Sequence, residues 1–198
     1  MAKTAPKKTA TKGVLSLKIT LKHIKPPVWR RILVHDSMTL ADLSTAIQIV
    51  MGWDAGHLHD FDIGGDRYGD PSITEDVSDE SRKKLSGLIR SGVTRFAYTY
   101  DFGDNWEHDI LIEKVLPANA PSAWPACLAG KRHCPPEDCG GPWGYADLLD
   151  ILANPEHPDH EEQSEWLGDD FDPEAFSVAA ADATLATVFR RNEPPEAG

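Results

Sequence analysis

His57 and His59, one residue apart, and His108 further along are the residues of this chain best suited to hold a metal ion. On a strand, residues i and i+2 project from the same face, so His57 and His59 would present two imidazoles to one cation. His108 shares its face with Trp106, Ile110 and Ile112, where a histidine must find a hydrogen-bond partner, stay neutral or bind something. Asp101 and Asp104, in the turn just before it, offer carboxylates as ligands, as partners fixing an imidazole tautomer, or as a base for bound water. The plainer alternative is buried, hydrogen-bonded histidines and aspartates that merely build the turn.

Two further groupings carry chemistry. Cys127, Cys134 and Cys139, with His133 beside the middle one, are soft donors suited to zinc, in a segment that would gain order from a metal staple. The spacing lacks Cys-x2-Cys knuckles, and inert buried thiols are the alternative. In Pro135-Pro136-Glu137-Asp138-Cys139-Gly140-Gly141 the prolines fix the approach and the glycines permit close backbone contact, so Glu137 and Asp138 are held in place. Asp101, Asp104, Glu137 and Asp138 are therefore the candidate catalytic carboxylates. Zinc or another divalent metal is the candidate cofactor. Residues 156–174 hold nine acids and no Lys or Arg, without the spacing of a calcium loop. No Walker loop, dinucleotide fingerprint or nucleophile elbow is present.

The elements that position these groups follow from periodicity. Leu15, Leu17, Ile19 and Leu21 alternate with polar residues as a half-buried strand, and after Pro26-Pro27 a second strand spans 28–34 and pairs with it antiparallel. Thr39 with Asp42 signals a helix start, Leu40, Leu43, Ile47 and Val50 recur at helical spacing, and Gly52 ends the helix. Alternation through His57, His59, Phe61 and Ile63 implies a third strand, with a short fourth after Gly64-Gly65. Residues 71–90 suggest a surface excursion with one helix over 80–89. Strands over 94–100 and 106–115 flank the 101–105 turn. Residues 117–144 are too rich in Pro, Gly and Cys to be regular. Helices are expected over 145–153 and 160–167, and from Pro173 with Asp172 as cap. The result is a single α+β domain over 13–190, with a mainly antiparallel, β-grasp-like sheet, packed helices and one irregular Cys/Pro/Gly-rich segment.

Of 198 residues, 40% are hydrophobic and 26% charged, and three cysteines are too few for a disulfide scaffold. A cytoplasmic protein without membrane spans is expected. The net charge of −12 hides a segregation: residues 1–35 carry nine Lys and Arg and no acid. Residues 1–12 and 191–198 are expected to be disordered, and the basic tail offers a weak nucleic-acid contact.

Several blocks together resemble the plasmid pRiA4b ORF-3-like family: Pro27-Val28-Trp29-Arg30-Arg31, Gly52-Trp53 with His57-Leu58-His59-x-Phe61, Tyr100-Asp101-Phe102-Gly103-Asp104-x-Trp106-x-His108, the Pro135–Gly141 block, and Phe171-Asp172-Pro173-Glu174-x-Phe176. The resemblance covers about 14–180 and implies an α+β domain found on plasmids and mobile elements, including TnpR-like passenger proteins of insertion elements. The expected function is a metal-associated binding or accessory protein. The alternative is a metal-dependent hydrolase acting on a phosphorylated or nucleic-acid substrate.

Overall fold

The computed structural model describes residues 13–117, 125–168 and 171–190. Strict alternation produces β1 (Gly13–Leu21), which pairs antiparallel with β2 (Trp29–His35), Val14 opposite His35 and Thr20 opposite Trp29. Leu15, Leu17 and Ile19 are fully buried, each side chain a gross gain of about 1.5–3 kcal/mol. Helix α1 (Leu40–Met51) starts at a reciprocal cap: Thr39 Oγ1 accepts from Asp42 N (3.1 Å) and Asp42 Oδ2 accepts from Thr39 N (2.8 Å). It ends at Gly52, whose φ of 96° lies in the left-handed region. Leu40, Leu43, Ala46, Ile47 and Val50 of α1 lie in the main core.

Next come β3 (His59–Ile63), β4 (Asp66–Gly69), the two-residue β5 (Ser78–Asp79), a 3-10 turn (Glu80–Arg82) and α2 (Leu85–Arg90). The hairpin of β6 (Arg95–Tyr100) and β7 (Trp106–Pro117) carries the 101–105 turn at its tip. The chain continues through β8 (Ala126–Lys131), α3 (Gly141–Ala153), α4 (His160–Leu167) and α5 (Val178–Arg190). All eight strands form one sheet, in the order β5-β4-β3-β6-β7-β1-β2-β8. Among the described residues, only the β4–β5 pair is parallel. This is the expected single α+β domain. Among the described residues, no helix is long and apolar enough to cross a membrane.

Three expectations need correction. Residues 117–144 are not wholly irregular: β8 pairs with β2 at the sheet edge, and α3 begins at Gly141. The pairing supplies order that the composition of β8 does not. Residues 71–90 are not a loose excursion, because Glu80, Leu85 and Leu88 are buried and the helix is split into the 3-10 turn and α2. The last helix starts at Val178, not Pro173. Asp172 Oδ1 accepts from Glu174 N (2.9 Å) in a local turn, and Pro173 O accepts from His133 N (3.0 Å), which diverts that carbonyl from helical bonding. Residues 1–12 and 191–198 lie outside the described residues.

Candidate functional site

The site forms where three loops meet at one end of the sheet. Trp53, just past α1, stacks on Tyr100 at 4.7 Å between ring centroids and donates from Nε1 to Pro135 O (3.0 Å). That bond pins the Pro135-Pro136-Glu137-Asp138 loop to the end of β6. Glu137 Oε1 accepts from the Tyr100 hydroxyl (3.0 Å) and from Asp54 N (2.9 Å). The 101–105 turn is fixed from the other side. Asp104 Oδ2 accepts from Gly140 N (3.2 Å), and Gly141, at φ 69°, passes so close that a Cβ there would lie 2.4 Å from Asp104 O. Only glycine fits that crossing.

These contacts turn His57 into the hub of an acidic cluster. His57 precedes β3, its Nδ1 3.5 Å from Asp101 Oδ2 and its Nε2 3.5 Å from Asp138 Oδ1 and 3.6 Å from Glu137 Oε2. Glu137 Oε2 is buried without a hydrogen-bond partner. Asp101 is buried and spends Oδ1 on Gly103 N (2.8 Å), whereas the Asp138 side chain is 75% exposed, so the cluster is closed behind and open in front. Asp101 and Asp138 both adopt left-handed backbone, φ 55° and 57°. Aspartate tolerates that region better than most residues but at a cost, and such strain gathers at functional sites. Burial, then the bond to Glu137, pushes the Tyr100 hydroxyl pKa up, so it is a proton donor to the carboxylate. A cleft of about 450 Å³ opens beside Asp138, with Asp147, Glu162 and Trp166 in its wall and no Lys, Arg or His.

The residues singled out in the sequence separate into distinct environments. Among the described residues, the one group of His, Cys, Asp and Glu whose ligand atoms all lie within 4.8 Å of one another is His57, Asp101 and Asp138. Glu137 and Asp104 stand beside it. His59 is held by a different partner: its Nε2 meets both oxygens of buried Glu80, at 3.1 and 3.2 Å. His108 is fully buried, with Nδ1 3.2 Å from Tyr98 O and Trp53 edge-on at 5.3 Å. Nδ1 therefore carries the proton, and burial lowers the His108 pKa to about 4. Cys127, Cys134 and Cys139 are free thiols and form no such group with His133, whose Nδ1 is engaged with Cys134 O (2.7 Å). Burial raises all three thiol pKa values, Cys139 to about 12, opposite to the shift that would prepare a metal ligand. Sequence reasoning missed Glu80 as the partner of His59 and Trp53 as the clamp on Pro135.

A known family matches the chain over residues 13–180. The chain belongs to the plasmid pRiA4b ORF-3-like protein family. A relative in this family, the uncharacterized protein y4hQ of Sinorhizobium fredii, is 41% identical over 176 residues, covering 84% of this chain and 88% of its own length. The crystal structure of MM3350, a protein of unknown function from Methanosarcina mazei Go1, matches with a TM-score of 0.80 at 40% identity, covering 89% of this chain and 99% of that one.

Proposed function

We propose that this pRiA4b ORF-3-like protein is a metal-associated binding or accessory protein whose divalent cation sits among His57, Asp101 and Asp138. The observation that carries this reading is the mutual closeness of their ligand atoms, within 4.8 Å. Ligands about 2.0–2.2 Å from a zinc ion stand roughly 3–3.5 Å from one another. The 3.5 Å contacts of His57 are long for hydrogen bonds and leave from opposite ring nitrogens, Nδ1 toward Asp101 and Nε2 toward Asp138, so an ion would take one nitrogen and the farther carboxylate would close in from within the 4.8 Å spread. One imidazole with two carboxylates suits zinc or a comparable divalent metal. The three free thiols fit a reducing cytoplasm.

Metal-dependent hydrolysis is the second reading, favoured by Glu137. Its buried Oε2 has no hydrogen-bond partner and lies beside His57, where a carboxylate could take a proton from metal-bound water. The acid-walled cleft beside Asp138 would repel phosphate unless the metal offset its charge. Elemental analysis and zinc titration of protein purified without a metal-affinity tag test the first reading. Wild type should bind one equivalent, and His57→Gln and Asp138→Asn should lose it with the fold intact by circular dichroism. Absence of saturable binding in the wild type would overturn the site. Glu137→Gln then separates the readings: metal retained with any hydrolytic turnover abolished supports the hydrolase.

A further inference from the structure

Arg30 is a cation sealed inside an acidic protein. In β2 it falls on the same face as Ile32 and Val34, so the period-two pattern turns it inward, and it is 1% exposed. Three backbone carbonyls fix its guanidinium: Nε donates to Val50 O (2.7 Å), and Nη1 donates to Trp29 O (2.9 Å) and Lys131 O (3.0 Å). Phe176 covers one face, its ring centroid 3.7 Å from Cζ. Gly130 leaves the room for this stack, since a Cβ there would lie 2.4 Å from Phe176 and 2.9 Å from Arg30 Cδ. Among the described residues, Nη2 has no hydrogen-bond partner and no carboxylate lies within ion-pairing distance. Burial lowers the Arg30 pKa, which measures how costly the charge is there. Cys134 and Cys127, the ionisable groups whose charge would act on it, are themselves pushed toward the neutral thiol by burial and cannot balance it. A buried charge without a counter-charge is among the most expensive features a fold can carry.

Arg30 also lines a cavity of about 370 Å³ between the end of α1 and the start of α5. No Asp or Glu contributes to its lining, although the whole chain carries a net charge of −12. Ile49, Met51, Phe176 and Ala180 supply apolar walls, and His133, Ser177 and Thr184 complete the lining, with the two hydroxyls bonded to the Ala180 backbone. The N-terminus of α5, a 13-residue helix, opens beside it with a partial positive charge.

We propose that this cavity binds a small organic carboxylate, its anionic end on the free Nη2 of Arg30 and its apolar body against Ile49, Met51 and Phe176. An apolar lining with one directed cation favours a carboxylate carrying a hydrophobic body over a strongly hydrated inorganic ion. With Nε and Nη1 committed to carbonyls, the guanidinium meets the ligand through a single nitrogen, so one carboxylate oxygen suffices and a planar fork is not required. The site is separate from the His57 cluster and stands or falls without it.

Isothermal titration of the full-length chain with benzoate and hexanoate, at fixed ionic strength and with hexylammonium as a charge control, tests the proposal. Saturable binding of the two carboxylates and none of hexylammonium is expected. Arg30→Met should weaken binding at least tenfold. Because Arg30 also ties α1 to the sheet, Thr184→Glu serves as the second variant: the position is exposed on α5, glutamate favours helix, and the added charge should also weaken carboxylate binding at least tenfold. Absence of carboxylate binding at millimolar concentration, equal binding of hexylammonium, or unchanged affinity in a folded Thr184→Glu protein would each overturn it.

Discussion

His57 and His108 both lie against tyrosines of β6, ring centroids 5.7 Å from Tyr100 and 5.4 Å from Tyr98, yet their surroundings are opposite. Around His108 the polar groups pair within the protein except for two ring nitrogens: Tyr98 OH meets Ser44 Oγ and accepts from Gln48 Nε2, both at 2.9 Å, and its carbonyl accepts from His108 Nδ1, while His108 Nε2 and Trp106 Nε1 stay buried without a partner. Around His57 there are three carboxylates and no Lys or Arg in ion-pairing distance of them among the described residues. The interior spends its polarity on specifying one packing, whereas the loop corner keeps an excess of acceptors that only a cation would complete. Imidazole alone does not mark a metal centre. The proposal for His57 rests on what surrounds it.

The contrast can be broken most severely at Gly141. Gly141→Ala forces a Cβ into the Asp104 carbonyl at positive φ and should cost roughly 3–5 kcal/mol, read as a lowered urea midpoint. If the corner were loosely held, the loss would be small.

The interior histidine offers a pH test of nearly the same size. Unfolded, His108 takes up a proton below about 6.5, but folded it resists protonation until about 4, so the unfolded chain binds more protons between these values. Stability should therefore decline as pH falls from 6.5 to 4, by roughly 3 kcal/mol from this residue. His108→Gln should remove that slope, and denaturant melts at a series of pH values would decide. An unchanged slope would mean that His108 is not sealed.

Smaller changes sharpen the comparison. Ser44→Ala removes one partner of the Tyr98 hydroxyl while Gln48 remains, so a loss of about 1 kcal/mol is expected in thermal melts. Asp138→Asn, at an exposed side chain, should change metal-free stability by about 0.5 kcal/mol or less. A large destabilisation there would recast the acidic corner as a structural ion-pair network with the imidazolium.

Much of this was legible in local pattern. The β1–β2 hairpin, α1 with its cap, and the β6–β7 hairpin follow from alternation, the Thr39–Asp42 box and the Gly103-Asp104-Asn105 turn, all encoded within a few residues. The cluster around His57 was half visible, since Asp101 and the Glu137-Asp138 loop stood out by type and rigidity. Parity set His57 and His59 side by side, and their rings do face neighbouring tyrosines of β6. It could not tell that Glu80, from a segment read as surface, would claim His59. Strand β8 was hidden because Ala126, Cys127, Ala129 and Gly130 have no β-branched residue among them, and the strand exists through its partner β2. Arg30 could have been found: the alternation that buries Ile32 and Val34 points it inward too.

The bond from Cys127 N to Asp182 Oδ1 (2.9 Å) on α5 gives the sheet an asymmetric pair of borders. At one border β5 is only two residues long, too short to template another strand. At the other, β8 is six residues long, and α5 packs along it while Asp182 takes one of its outward amides. The last helix thus works as a selvedge, finishing an edge that would otherwise recruit a neighbour. A chain ended after residue 177 should gain edge-to-edge association, visible as larger species by light scattering, even where its remaining strands keep their register.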